Sequence, residues 1–146
     1  MTIVFSHHAC LGHYTGEEHP ERPARMNAVE EAFQREGLAG RLDRRDAERA
    51  TLDCIGLMHP QKYIEQIVAS VPSSGITRLD ADTCLSPGSL EAVLRGVGAA
   101  CSAVDAVVLG ESKNAFCAVR PPGHHAETDQ AMGFCIFNTV AIAAAY

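Results

Sequence analysis

The amino-acid sequence predicts an α/β fold, in which helices pack against a parallel sheet. Three observations support this prediction: the β-branched run TIVF at 2–5, the apolar run AFCAV at 115–119, and a long amphipathic helical pattern between them. A short, uniformly apolar run such as AFCAV is typical of a strand buried in a parallel sheet. A helix, a strand, a loop and a helix in succession then imply a layered α/β architecture.

The first helix is predicted between a polar loop and a glycine. Pro23 suits the first position of a helix, and Gly37 offers the left-handed conformation that ends one. The apolar residues between them recur on one face: Met26, Val29, Ala32 and Phe33. The pattern predicts a helix over roughly 23–36.

Two shorter helical segments are expected next, at 51–58 and 61–69. Pro60 separates them, because proline disfavours helix at the residue before it. His59 is therefore interpreted as a residue at a helix end. A loop is expected to follow, through 80–82.

The helix over 86–110 has the clearest periodicity. Ser86 lies at its start and Gly110 at its end. Its apolar positions recur at spacings of three and four residues: Leu90, Val93, Leu94, Val97, Cys101, Val104 and Val108. A last helix, over 139–146, is expected to be capped by Asn138.

Composition limits the class of protein. The chain has 146 residues, of which 47% are hydrophobic and 21% charged, so a single globular domain is expected. The formal charge of -6 is spread over stretches of mixed sign, which argues against direct binding of nucleic acid. The apolar runs are too short to span a membrane. Six cysteines without a C-x-x-C pair are typical of reduced, packed thiols, so a cytoplasmic protein is expected.

The segment RPPGHHA contains two adjacent histidines, His124 and His125. If 115–119 is a parallel strand, they lie past its carboxyl end, where open α/β sheets bind ligands. The prolines stiffen this loop, and Gly123 lets it turn sharply. Zinc ligands on one segment are usually separated by two or more residues, so two catalytic imidazoles fit better, one of them a base for water. The alternative is a pair of loop histidines that bond to the backbone.

RPPGHHA followed by GFCIFN at 133–138 resembles the histone deacetylase family, the zinc-dependent amidohydrolases that remove acetyl groups from lysine side chains or polyamines. HPERPARM at 19–26, DADT at 80–83, SPGS at 86–89 and the closing FNTVAIAA occur in the family's order. The resemblance thus covers essentially the whole chain and is strongest to the bacterial and class II branch. It implies the amino-terminal portion of a three-layer, parallel-sheet arginase/deacetylase-like fold.

The resemblance implies roles for residues of the segment 120–138, called the histidine loop below. His125 matches the general base for a zinc-bound water, and His124 matches its electrostatic or proton-shuttling partner, both at the bottom of a tunnel. Phe134 matches an aromatic wall beside the acetyl-lysine methylenes, and Gly133 borders the same tunnel. The alternative for Phe134 is an ordinary core aromatic.

Residues outside that loop also match. Asp82 aligns with a rim position that grips the substrate backbone in part of the family; Asp80 and a solvated carboxylate are the alternatives. Arg25 matches an arginine near an internal cavity, proposed to help acetate leave; an ordinary salt bridge is the alternative. Four histidines are interpreted as structural or rim residues and not as a metal site: His7, His8, His13 and His19.

Family members bind zinc through an Asp-x-His pair and a second Asp, and they polarise the amide carbonyl with a Tyr or His. The resemblance places these residues beyond the end of this chain. We therefore expect 1–146 to be an incomplete deacetylase domain, inactive alone and without a complete zinc site, although the intact protein would use zinc. Its substrate would be an acetylated protein or a small-molecule amine.

A non-catalytic truncated fragment or interaction module is the alternative function. Truncation would also leave the strand at 115–119 short of a neighbour and expose apolar surface. The chain is therefore expected to be poorly soluble or to form homo-oligomers.

Overall fold

A parallel sheet of three strands with helices on both faces organises the chain, as the sequence predicted. The computed structural model describes residues 1–146. The strands are β1 (Thr2–Ser6), β2 (Leu42–Asp46), β3 (Thr77–Arg78), β4 (Cys84–Leu85) and β5 (Ala115–Ala118). The helices are α1 (Ala24–Arg35), α2 (Leu52–Ile55), α3 (Gln61–Ser70), α4 (Ser89–Val108) and α5 (Thr139–Ala145).

Strand β1 is the centre of the sheet, whose order is β2-β1-β5 with both pairings parallel. Alternate residues of β1 face opposite layers. Ile3 and Phe5 pack with Ala99 of α4, whereas Val4 shares a cavity wall with Met26 of α1. The three layers are therefore α1, the sheet and α4.

Helix α1 confirms the predicted apolar face only in part. The four predicted positions are half-buried, and no residue of the helix is fully buried. Phe33 makes an edge-to-face contact with Phe116 of β5, with ring centroids 6.0 Å apart. This helix therefore covers the sheet loosely.

Strand β2 was not predicted, because its sequence LDRRD lacks the apolar alternation of a strand. It lies at the edge of the sheet, where charged side chains stay in solvent. Arg44 pairs with Glu30 and Arg45 with Asp43, at 2.6 and 2.8 Å. The pattern of a charged edge strand is thus easily taken for a loop.

Strand β5 pairs only with β1 and lies at the other edge of the sheet, which agrees with the expectation that 115–119 is short of a neighbour. Its side chains are less buried than its composition suggested, and Phe116 is 46% exposed. The apolar run therefore indicated a strand correctly, although this strand is less buried than such a run usually is.

The segment after the sheet's second strand is less regular than predicted. Regular helix in α2 ends at Ile55, and turns continue to His59. Strands β3 and β4 form a short antiparallel hairpin that was expected as loop, with 80–82 in its turn.

Helix α4 is the central helix of the hydrophobic core. Its buried face packs against α3, the segment 131–137 and α5 in one cluster, centred on Leu94, Ile64, Ile136 and Ile142. Val108 departs from the predicted apolar face, since it is 77% exposed at the helix end. No helix is both long enough and apolar enough to cross a membrane.

Candidate active site

The histidine loop leaves β5 and runs to α5, so it lies at the carboxyl end of a parallel strand as predicted. The amide of Val140 in α5 donates to the carbonyl of Gly123, at 3.0 Å. Gly123 was predicted to allow a sharp turn, but its φ is not left-handed. Its role is close packing, because a Cβ at this position would overlap the side chain of Thr139.

Cys135 fixes the backbone of both histidines. The amides of His124 and His125 each donate to its Sγ, at 3.4 Å, and its thiol donates to the carbonyl of Gly133, at 3.3 Å. The buried sulfur thus joins the two ends of the histidine loop. Sequence reasoning treated Cys135 only as a packed thiol.

His59 and Asn138 brace the same loop from behind. The ring of His59 lies between the carbonyl of Thr128, at 2.8 Å from Nδ1, and the amide of Asn138, at 2.9 Å from Nε2. These partners require a neutral ring with the proton on Nδ1. Asn138 also donates to the carbonyl of Ala126 and caps α5 by accepting from the amide of Ala141. Burial lowers the pKa of His59, which favours this neutral form.

His124 and His125 lie on the wall of one cavity of about 470 Å³. Their ring centroids are 4.2 Å apart, and the ring planes are inclined by 53°. Other residues lining the cavity are Pro20, Glu21, Arg25, Pro122, Gly133 and Phe134. Both histidines are exposed. The described residues therefore form an open cleft.

Gly133 and Phe134 have consecutive left-handed backbones, with φ of 56° and 69°. A Cβ at Gly133 would lie 2.9 Å from the ring of His125, so only glycine lets the loop approach the imidazole this closely. The amide of Phe134 donates to the hydroxyl of Thr83, at 3.0 Å. The Phe134 ring is half-buried on the cavity wall and is no ordinary core aromatic.

The opposite wall rests on a buried ion cluster. Arg120 is fully buried and donates to both carboxylate oxygens of Glu21, at 2.9 and 2.8 Å. Its Nη1 donates to the carbonyls of Cys10 and His13, at 2.8 and 2.6 Å. Glu21 also accepts from Arg25 at 3.0 Å. Two guanidinium groups against one carboxylate leave positive charge at this wall.

His13 belongs to that cluster and is the structural residue that was expected. It is buried, and its Nδ1 lies 2.7 Å from the hydroxyl of Ser89. Burial, reinforced by the charge of Arg120, lowers the pKa of His13 to about 4. The ring is therefore neutral at physiological pH, and its contact with Glu21 at 3.7 Å is not an ion pair there.

His19 lies at the edge of the cleft, where its ring meets that of Phe134 edge-on at 4.9 Å. Its Nε2 lies 3.0 Å from the carbonyl of Asp82, and its Nδ1 accepts from the amide of Glu21 at 3.1 Å. These contacts link the turn at 80–83 to the cavity. His7 and His8 lie apart from this cavity, beside α1.

The two aspartates of the DADT turn differ in their bonding. Asp80 accepts from the amides of Asp82 and Thr83, at 2.8 and 2.6 Å, so it closes the turn. Partial burial raises the pKa of Asp80, but these hydrogen bonds outweigh it and hold the pKa below its ordinary value. Asp82 is exposed at the rim but does not line the cavity, and its carboxylate accepts only from the hydroxyl of Thr83, at 3.0 Å.

The described residues do not form a metal site. No three His, Cys, Asp or Glu side chains converge on one point, and the histidine pair has no carboxylate partner. The residues of this chain therefore do not fit a zinc ion by themselves.

Sequence reasoning missed several residues that build the site: Glu21, Arg120, Cys135 and Pro20. Glu21 and Arg120 do stand inside the motifs HPERP and RPPG, and opposite charges beside rigid prolines were an available signal. Their pairing across 99 residues, however, has no local signature.

The chain thus has a three-layer α/β fold with a histidine pair past the end of a parallel strand. The sequence matches the histone deacetylase domain model over residues 19–146. The chain belongs to the histone deacetylase family.

Individual relatives support the same family assignment. The histone deacetylase-like amidohydrolase of Pseudomonas aeruginosa is 38% identical over 125 residues, covering 86% of this chain and 33% of the relative. Human polyamine deacetylase HDAC10 is 34% identical over 131 residues, covering 86% of this chain and 20% of the relative. The crystal structure of the HDA15 HD domain superposes with a TM-score of 0.91 at 29% identity, over 98% of this chain and 43% of that one. The chain thus spans a third or less of these two sequence relatives.

Proposed function

We propose that this chain supplies the proton-transfer wall of a deacetylase active site, which hydrolyses the amide of an acetylated amine. The observation that supports this most directly is the cleft in which two adjacent imidazoles, a half-buried aromatic ring and an arginine line one cavity. Rigid placement of proton-transfer groups beside a substrate slot is what hydrolysis of a stable amide requires.

In the proposed reaction, water adds to the acetyl carbonyl and His125 accepts the proton that the water loses. The carbon–nitrogen bond then breaks, and one of the two histidines returns a proton to the departing amine. The products are a free amine and acetate. Cys135 and Gly133 support these transfers, because they fix the backbone and the ring position of His125.

Phe134 and Gly133 are proposed to form the side of the slot that receives the acetylated chain. The phenylalanine offers an apolar surface for methylene groups, and the glycine leaves space beside it. Arg25 is proposed to attract the acetate product. Its side chain is 55% exposed, and the cluster behind it carries more positive than negative charge.

The rim position of Asp82 is also part of the proposal. Asp80 is occupied by the turn, which leaves Asp82 as the carboxylate free to accept from a substrate backbone amide. Lysine and polyamine substrates both remain within the proposed class, since the relatives include a human histone deacetylase 9 and a polyamine deacetylase.

Zinc dependence is proposed from the family, in which the metal activates water and polarises the carbonyl. This chain's residues do not form a ligand set, so the steps above concern only its own side chains. We further propose a cytoplasmic protein without direct contact to nucleic acid, given six free cysteines and a net charge of -6. Association through the free edge of β5 is the proposed route to homo-oligomers.

The test is turnover of acetyl-lysine peptides and acetylpolyamines by a protein that carries the complete deacetylase domain, loaded with zinc. We expect His125→Ala to lower kcat/KM by at least about 100-fold. His8→Ala, at a histidine that lies apart from the cleft, serves as the matched control and should keep activity. Full activity in His125→Ala would contradict the assignment, and absence of turnover in the unmutated protein would favour the non-catalytic alternative.

A further inference from the structure

Two cysteines far apart in sequence meet outside the cleft. The sulfurs of Cys54 in α2 and Cys101 in α4 lie 3.6 Å apart and are hydrogen-bonded to each other, although 47 residues separate them. Cys54 is half-buried at the surface, whereas Cys101 is 7% exposed beneath it. All six cysteines are free thiols.

We propose that Cys54 and Cys101 are an oxidation site, at which a peroxide or a comparable two-electron oxidant forms a disulfide that locks α2 onto α4. In this reaction the Cys54 thiolate attacks the peroxide and becomes a sulfenic acid, and the peroxide bond breaks with release of water. The sulfur of Cys101 then displaces water from the sulfenic acid. Two thiols and one peroxide thus give one disulfide and two waters.

The surroundings set the order of these steps. Burial, together with the hydrogen bond to Cys54, raises the pKa of the Cys101 thiol to about 12, so Cys101 stays protonated and hidden from the oxidant. Cys54 is the thiol that solvent reaches, and it therefore reacts first. Once the sulfenic acid has formed, Cys101 is already in contact with it.

Only a small movement separates the contact from a bond. A disulfide brings two sulfurs to about 2.0 Å, which requires an approach of roughly 1.5 Å from the present separation. Helix α2 is a single turn of four residues on the surface, and it contributes only Ile55 to the fully buried core. It can therefore shift toward α4, which is the rigid partner.

The crosslink would act on the brace of the histidine loop. The amide of His59 donates to the carbonyl of Ile55, one residue after Cys54, at 3.1 Å. The ring of His59 in turn contacts the carbonyl of Thr128 and the amide of Asn138. Oxidation therefore fixes the segment from which His59 supports the loop, and it also constrains the unfolded chain by closing a long covalent loop.

The test uses the purified chain, treated with hydrogen peroxide or diamide and compared with a sample kept in dithiothreitol. We expect each oxidised chain to lose two alkylatable thiols and two hydrogen atoms of mass, and to give one crosslinked peptide containing Cys54 and Cys101. The urea midpoint of the oxidised form should rise by about 1 M or more and return on reduction.

The controls are Cys54→Ser and Cys101→Ala, which should abolish the crosslinked peptide and the rise in midpoint, and Cys84→Ser, which should keep both. The peptide measurement on the unmutated chain decides the matter even where a variant fails to fold. The proposal is overturned by a crosslink between other cysteines, by sulfinic acid at Cys54 without a crosslink, or by an oxidised form that unfolds at lower urea.

Discussion

The two walls of the cleft are held by different kinds of interaction. On one side, neutral groups hold the histidine loop: the sulfur of Cys135, the imidazole of His59 and the amide of Asn138. On the other side, Arg25 rests on the buried pair of Arg120 and Glu21. Removing one neutral hydrogen bond lowers the free energy of unfolding by little, whereas leaving a buried charge without its partner lowers it several times more. The wall proposed to transfer protons thus tolerates change better than the wall proposed to attract acetate.

The largest expected effect comes from the ionic wall. Arg120→Leu leaves the carboxylate of Glu21 buried and without its bidentate partner, so the free energy of unfolding should fall by about 3–5 kcal/mol. Urea denaturation at pH 7 measures the loss. Arg35→Leu, whose side chain is 75% exposed, is the matched control and should cost less than about 0.5 kcal/mol.

A double variant sharpens this result. Arg120→Leu combined with Glu21→Leu removes both charges, so it should be more stable than Arg120→Leu alone. A double variant that is less stable than either single variant would show that the ion pair does not explain the cost.

The next effect is a pH dependence of the same wall. The pKa of His13 is about 4 in the folded chain and about 6.5 when unfolded. The unfolded state therefore binds more protons between these values, and stability should fall as pH decreases from 6.5 to 4, by on the order of 3 kcal/mol in total. Urea midpoints across this range measure it.

His13→Asn provides the comparison, because it retains a hydrogen-bonding side chain without an imidazole that titrates. The variant should lose less stability over the same pH interval. An unchanged pH dependence would assign the loss to another group, such as His59, whose pKa is also lowered by burial.

A substitution on the neutral wall should cost less. Gly133→Ala places a methyl group 2.9 Å from the ring of His125 and strains a left-handed backbone, for an expected cost of about 2 kcal/mol. Gly37→Ala is the matched control, since its φ of 64° is similar and nothing lies within 4 Å. It should cost about 1 kcal/mol. Equal costs, with unchanged NMR shifts of the His125 ring, would contradict the close contact.

The smallest effect separates the two aspartates of the rim. Asp80→Ala removes the acceptor of two backbone amides and should cost about 1 kcal/mol, whereas Asp82→Ala should cost less than about 0.5 kcal/mol. Because the pKa of Asp80 is lowered on folding, its contribution should disappear as pH falls below about 4. Urea denaturation at pH 7 and pH 3 tests both statements. A larger loss for Asp82→Ala would reverse their roles.

The sequence predicted most of what local pattern determines. The extent of α3, most of α4, the cap of Asn138 and the place of the histidine loop after β5 all depend on neighbours within a few residues, and the structure confirms them. The apolar face of α1 is confirmed only in part. The match to the histone deacetylase domain model confirms the family that RPPGHHA and GFCIFN indicated.

What the sequence did not predict depends on distant partners or on burial. Strand β2 is recognisable only beside β1, and the side chains of β5 are less buried than its composition suggests. The requirement for glycine at 123 comes from Thr139, not from a turn. His59, interpreted as a helix end, binds a residue 79 positions away.

The two edge strands of the sheet, β2 and β5, differ in charge, and this difference determines where a further strand can pair. Strand β2 carries Arg44 and Arg45 on its opposite faces, each engaged with a carboxylate, so charged side chains would flank any strand that paired there. The outer side of β5 presents the run AFCA with no charge. A further strand, from the same polypeptide or another, should therefore pair with β5 more readily than with β2.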